Sequence, residues 1–204
     1  NFSDVLDRFA SDTTAIADTT EEGPVPYALC DLRMDSLVLY YNRDLFEAAG
    51  VELPPAEGWK WNDMVSAATE LTQDTDGDGT PDIYGLGTDV EIIRLAPFIW
   101  SNGGEIVDDP DRPTRFALGS LTAIRPIQAF LDLRGVHGVT PTDEEAESED
   151  FESRFLNGTL AMMMESRKAV PSFRTITDFE WDVAQLPVHD QPATVLHSDA
   201  YCMT

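Results

Sequence analysis

Lysine is almost absent from this chain. Lys60 and Lys168 are the only two among 13 basic residues, set against 38 acidic ones for a net charge of −25. A surface of that sign repels nucleic acid and anionic lipid, whose binding rests on basic patches, so a nucleic-acid partner is excluded. Acid excess with little lysine suits a protein working at high salt, where dense charge is screened. A GC-rich genome equally favours Arg over Lys. Long apolar runs are missing too, and none approaches the ~18 residues of a membrane span. Cysteine is limited to Cys30 and Cys202, far apart and in no metal-ligand spacing. They are either two small buried hydrophobes or a disulfide formed in an oxidising compartment. No Gly-x-Ser-x-Gly, His-Glu-x-x-His or phosphate loop occurs, and neither cysteine lies in a catalytic signature. The three histidines, His137, His189 and His197, complete no such motif. Internal repeats and low-complexity tracts are absent.

What is present is a globular composition, 42% hydrophobic and 25% charged over 204 residues, enough for one large domain or one lobe of a two-lobed protein. The chain opens on Asn1 rather than Met and stops at Thr204 within an apolar stretch, and reads as a piece of a longer protein. Residues 1–22 are acidic with weak helical periodicity in Phe2, Val5, Leu6 and Phe9, and end in Gly23-Pro24-Val25-Pro26, a break. Leu37 to Tyr41 is dense in strand formers. Asn42 follows as an N-cap for a helix over Arg43 to Ala49, and Gly50 terminates it.

A second helix carries Met64, Ala67, Ala68 and Leu71, with Asn62 or Asp63 as its cap. Ile92 to Trp100 reads as an apolar helix, and Asn102-Gly103-Gly104 as a turn. Ser120 opens the best helix, with Leu121, Ile124, Ile127 and Leu131 on one apolar face and Gly135 just past its end. The acidic run 143–150 is a solvated helix start or loop. Phe151 and Phe155 mark a helix closed by Asn157-Gly158, and Leu160 to Met164 a buried strand. Trp181 to Leu186 and Val195 to Met203 supply further strands. This alternation predicts an α/β fold with helices packed around a mixed or largely parallel sheet.

The sharpest local motif is Asp74-Thr75-Asp76-Gly77-Asp78-Gly79-Thr80-Pro81-Asp82. It places carboxylates at positions 1, 3, 5 and 9 of a Ca²⁺-loop spacing, with Thr80 at position 7. Position 12 is Gly85 rather than the bidentate Glu of an EF-hand, so the loop is either a structural Ca²⁺ clip or an acidic solvated turn. No other cofactor is called for.

Several units, in order, resemble the extracellular solute-binding proteins of the carbohydrate ABC importer family. Leu39-Tyr40-Tyr41-Asn42-Arg43-Asp44-Leu45-Phe46-Glu47-Ala48-Ala49-Gly50 is similar to the family's strand-to-helix signature, and Trp59 to Leu71 to its Trp-containing helix. Asn102-Gly103-Gly104-Glu105 resembles its Gly-Gly turn, and Phe155 to Met162 its helix-to-strand step. Phe179 to Pro187 resembles the strand that leads back to the hinge. The resemblance implies a periplasmic-binding-protein-like lobe. Residues 1–36 would be a lead-in and first hinge crossing, 37–190 the second lobe, and 191–204 the return crossing. On those crossings Cys30 and Cys202 would come near each other if the strands are adjacent.

It also implies a monomer, periplasmic or extracellular, with or without a lipid anchor, that captures a small carbohydrate by lobe closure and delivers it to a membrane permease, without catalysis. A sugar asks for planar polar side chains around an aromatic face. The resemblance points to Arg33 and Asp35 on the first crossing, Trp100 and Asn102 near the Gly-Gly turn, Glu165 and Arg167 after the Met strand, and Ser198, Asp199 and Tyr201 on the return crossing. Bland readings stand beside these: Trp100 as core, Asn102 as a turn former, Arg33 and Asp35 as a surface pair. Ser166-Arg167-Lys168 replaces the Gly-Trp of many sugar binders, which speaks against a large oligosaccharide. Three other readings remain: a glycerol-phosphate or sugar-phosphate binder, since guanidinium pairs well with phosphate; a glycoside-acting enzyme, whose carboxylate pair only spatial separation would reveal; and a Ca²⁺-dependent interaction module.

Overall fold

The computed structural model describes residues 15–20, 23–30, 35–197 and 200–202, with 15–20, 23–30, 35, 197 and 200–202 as backbone only. The helical periodicity read in Phe2 to Phe9 lies outside the described residues. Contacts divide the chain into two units, Asn1–Ser36 with Leu196–Thr204, and Leu37–Val195.

In the first unit, β1 (Ala15–Thr20), β2 (Gly23–Cys30) and β7 (Ala200–Cys202) form an antiparallel sheet in the order β1-β2-β7. Cys30 pairs with Ala200 and Cys202 with Ala28, so the two cysteines are not opposite each other. They stand on a diagonal, where Cα atoms lie about 7–8 Å apart, beyond what a disulfide spans without backbone movement. The short β6 (Leu196–His197) pairs with Asp35 and Ser36 at the start of β3 (Asp35–Asn42).

The second unit is organised by β3, which lies between β4 (Met162–Ser166) and β5 (Trp181–Ala184), antiparallel to both. Parallel pairing occurs, among the described residues, in isolated bridges such as Tyr84↔Leu160 and Gly87↔Met163, so the sheet is mixed rather than largely parallel. Side chains alternate across it with the two-residue period of a strand. Leu39, Tyr41, Met162 and Met164 enter one core cluster with Phe46, Trp61, Met64, Phe98 and Phe130. Tyr40 and Met163 enter another with Phe151, Phe155 and Phe173. Both faces are therefore covered, which is why LVLYY and LAMMM are apolar without interruption.

The connections follow from local chemistry. Asn42 caps α1 (Arg43–Ala49), its Oδ1 accepting from the Leu45 N–H at 3.2 Å, and Gly50 closes the helix at φ 69°. Ser120 caps α4 (Leu121–Gly135) by accepting from the Ala123 N–H. The acidic run becomes α5 (Asp143–Ser148) with a Thr142–Glu145 capping box, followed by α6 (Phe151–Leu156) under Asp150. After β4 come a 3₁₀ turn at Arg167–Ala169 and α7 (Val170–Phe173).

Two expectations are corrected. Helix α2 (Trp61–Leu71) starts at Lys60, not at Asn62 or Asp63, because Trp61 is itself a core residue and its N–H donates to Val188 O. In α4 the buried residues are Ala123, Pro126, Phe130 and Leu133, whereas Leu121, Ile124 and Leu131 are exposed and Ile127 only half-buried. Both faces are apolar, and the larger Phe130 ring settles which turns inward, between Trp61 and Phe98.

Candidate functional site

Helix α3 (Ile92–Ser101) carries a positive charge, Arg94, in its first turn. That is the wrong end for a cation, since helix N-termini favour negative charge. The side chain is nevertheless 90% buried, and it is held there by Glu165 from β4, whose Oε2 accepts from Arg94 Nη2 at 2.5 Å. The second oxygen of Glu165 accepts from the Ser166 N–H. Arg94 Nε has no partner among the described residues. Pro97, lacking an N–H, cannot donate the helical hydrogen bond to the carbonyl of Ile93.

Beside the pair lies a depression of about 220 Å³ lined by Asp89, Asp150, Phe151, Glu152, Met163 and Glu165. Its floor is apolar and its rim is carboxylate. The carboxyl of Asp89 is raised above its ordinary range, first by removal from water, with Glu91 and Glu165 pushing the same way against Arg94 and Arg134. Planar donors and acceptors around an apolar floor are what a polyhydroxylated solute requires.

Of the residues expected to bind ligand, Glu165 is thus in the depression, while Arg167 is exposed at the start of the 3₁₀ turn. Trp100 and Asn102 sit at the other end of α3. Trp100 is half-buried and belongs to neither core cluster. Asn102 caps α3 and donates through Nδ2 to Thr122 O at 2.8 Å. That carbonyl is available because Pro126 supplies no helical donor to it. In the Gly-Gly turn, Gly103 takes φ 70°, and a Cβ on Gly104 would lie 2.9 Å from the Thr122 carbonyl. Arg33, Ser198 and Asp199 lie outside the described residues, and Asp35 and Tyr201 are described only as strand backbone. Arg94 and Asp89 were not singled out from sequence. The available signal was a charge inside the run Ile-Ile-Arg-Leu-Ala-Pro-Phe.

Asn102 instead borders a second depression of about 470 Å³, with Trp61, Ser66, Asp132 and His189. His189 stacks on Trp61, with centroids 5.1 Å apart, and its Nε2 is buried without a partner among the described residues. Removal from water lowers its pKa below the ordinary 6.5, against the opposing pull of Asp190. The folded state therefore disfavours protonation, and stability is full above the ordinary histidine value and lost as pH falls through the lower folded-state value. Melting temperatures measured from pH 7.5 to 4.5 should fall less steeply for His189→Gln than for the parent. Identical slopes would remove His189 from the acid response.

The aspartate loop is sealed by pairing of Gln73 with Ile83. Ligand oxygens of Asp74, Asp76 and Asp78 come within 4.8 Å of one another. Asp82 is turned elsewhere, accepting from the Thr75 N–H and hydroxyl, which holds its carboxyl below the usual range. Asp74 already accepts from the Gly77 and Gly79 N–H groups. A Cβ at Gly85 would lie 1.9 Å from Ala68 O, so position 12 has no room for a glutamate.

Comparison with known proteins places this geometry in context. The family model for bacterial extracellular solute-binding proteins matches residues 1–204. A binding protein of Brucella abortus is 28% identical over 131 residues, 62% of this chain and 29% of that protein. Among solved structures, an ABC substrate-binding protein from Listeria monocytogenes in complex with cycloalternan superimposes with a TM-score of 0.77 at 26% identity, covering 88% of this chain and 44% of that one. The maltose/maltodextrin-binding domain from Bdellovibrio bacteriovorus, bound to maltotriose, gives 0.71 at 21% identity, covering 97% and 49%. The chain thus spans less than half the length of these relatives.

Proposed function

Because the chain belongs to the family of bacterial extracellular solute-binding proteins, we propose that it is part of the substrate-binding component of an ABC importer, which captures a carbohydrate outside the cytoplasm and delivers it to the permease. The observation that carries the reading is the buried Arg94–Glu165 pair beside a carboxylate-rimmed, Phe151- and Met163-floored depression. The sugar ligands of the Listeria and Bdellovibrio proteins support the same class. Residues 37–195 form the second lobe, and 1–36 with 196–204 carry the crossings to the first. A solute touching both lobes favours the closed state by its differential affinity, and binding suffices without catalysis. The three clustered aspartates take Ca²⁺ as a structural clip within the loop, closed without a carboxylate at position 12.

A thermal-shift screen of the full-length protein against mono- and disaccharides, glycerol phosphate and Ca²⁺ tests this. A sugar at 100 times its Kd adds about 2.7 kcal/mol, roughly 5–11 °C at 2–4 °C per kcal/mol. Glycerol phosphate shifting alone would replace the substrate class. Ca²⁺ shifting alone, across a broad sugar panel, would point to an interaction module instead. For the loop itself, the Ca²⁺-dependent shift should disappear in Asp76→Asn. A shift that survives that change would place the ion elsewhere.

A further inference from the structure

The depression between α2 and α4, with a volume of about 470 Å³, falls within the ~300–1,000 Å³ of small-molecule sites. Val65 and Pro126 form its buried floor, and planar polar groups of Asn62, Asn102, Arg125, Asp132 and His189 stand around it. Three of these are held by bonds that leave a further polar atom open. The bond from Asn102 Nδ2 to Thr122 O leaves Oδ1 without a donor among the described residues. Asp132 accepts from Gln128 through Oδ1, and its other oxygen remains. His189 is fastened by its backbone, the N–H donating to Ser101 Oγ at 2.9 Å and the carbonyl accepting from Lys60 Nζ at 3.2 Å. Its ring lies against Trp61, and Nε2 is the buried atom without a partner among the described residues. Such an atom is costly to leave unbonded. A hydroxyl both donates and accepts, so it satisfies Nε2 in either tautomer of the imidazole.

Charge narrows the class of solute. The lining holds one guanidinium, Arg125, and one carboxylate, Asp132, together with His137 and His189. Lys60 and Asp63 flank Trp61 and Asn62 in sequence, and Asp190 follows His189. The surroundings are thus close to balance in a chain that carries −25, unlike the carboxylate rim of the first depression. An anion would meet Asp63, Asp132 and Asp190, and a cation would meet Lys60 and Arg125. A nonionic solute that donates and accepts in equal measure meets no such opposition. We infer that this depression is a second carbohydrate site, separate from the one beside Arg94 and Glu165, which takes one nonionic sugar ring: Asn102 Oδ1 and Asp132 accept from its hydroxyls, Arg125 donates to them, and one hydroxyl meets His189 Nε2. The inference does not rest on the first depression being the transport site.

The test is calorimetric titration of the full-length protein with glucose and with maltose. The forms compared are the parent, the double variant Arg94→Met with Glu165→Leu, and that double variant with either Arg125→Ala or Ser66→Trp added. Arg125 and Ser66 are exposed and line the second depression, so one change removes a donor and the other fills the space without entering the core. At least one sugar should still bind the double variant at a single site per chain. Arg125→Ala and Ser66→Trp should each weaken that binding at least about tenfold, with melting temperatures within ~2 °C of the double variant. Binding that vanishes in the double variant, or that persists there untouched by both added changes, would overturn the inference and leave the transport reading standing. Binding that is indifferent to the Arg94 and Glu165 changes but lost with Arg125→Ala would keep the second site and remove the first. No binding of either sugar to any form also overturns the inference, and the thermal-shift screen then decides the transport reading by itself.

Discussion

Gly85→Ala should melt roughly 8–16 °C below the parent, or fail to accumulate in folded form. A Cβ at this position falls 1.9 Å from the carbonyl oxygen of Ala68 and 2.6 Å from its carbon, all backbone atoms of α2. A flexible side chain could swing away, but a helical backbone cannot. Gly85 is also anchored, its N–H donating to Thr72 Oγ1, which itself donates to Ala68 O. Overpacking usually costs about 1–3 kcal/mol, and a backbone collision at a pinned site raises this to about 4 kcal/mol. The temperature range follows from 2–4 °C per kcal/mol for a unit of this size. Gly119→Ala serves as the control, because nothing lies within 4 Å of the added methyl. A Gly85→Ala protein melting within 2 °C or so of the parent would show that α2 and the strand-like segment at Tyr84 separate freely.

The second large effect is at Glu165. Its removal by Glu165→Leu breaks the ion pair of an Arg94 guanidinium that is 90% buried and whose Nε has no partner among the described residues. Breaking one side of such a pair costs about 3 kcal/mol. The double change Arg94→Met with Glu165→Leu should recover most of that stability, because two apolar side chains pack where an ion pair stood. Solute affinity should not recover. Loss of a charged hydrogen-bonding pair facing a polar ligand lowers affinity on the order of 100-fold. A double variant that is stable and binds like the parent would make the pair purely architectural, and the depression beside it would lose its claim to be the site.

How much of this was readable in the sequence depends on how local each cause is. The step from β3 into α1 was legible because Asn42 and Gly50 act within a few residues of themselves, one by its side-chain oxygen and the other by its left-handed φ. Ser120 was legible for the same reason. The α/β class followed from the alternation of helix and strand signals along the chain. The inner face of α4 was not legible, because Leu121, Ile124 and Leu131 match a helical stripe as well as Ala123, Pro126, Phe130 and Leu133 do. Period alone cannot rank two apolar faces. Trp61, which fixes the choice, arrives from about 70 residues away along the chain.

The site divides in the same way. Glu165 was singled out because it follows a buried strand, but its partner Arg94 lies 71 residues earlier, inside an apolar run that reads as core. Asp89 draws its raised pKa from surroundings no spacing announces. Asn102 was read both as a turn former and as a ligand contact. The bond to Thr122 shows what the turn needs of it, and that need arises from Pro126 in another helix.

The burial of strand β4 has a consequence under oxidising conditions. Met162 and Met164 are 0% and 2% exposed, so peroxide reaches their sulfurs only when the sheet comes apart. Each sulfoxide there places a polar oxygen where a closed core must re-form. Oxidative damage at this strand would thus be slow to begin and hard to reverse by refolding: the methionines keep a chemical record of how often the sheet has opened.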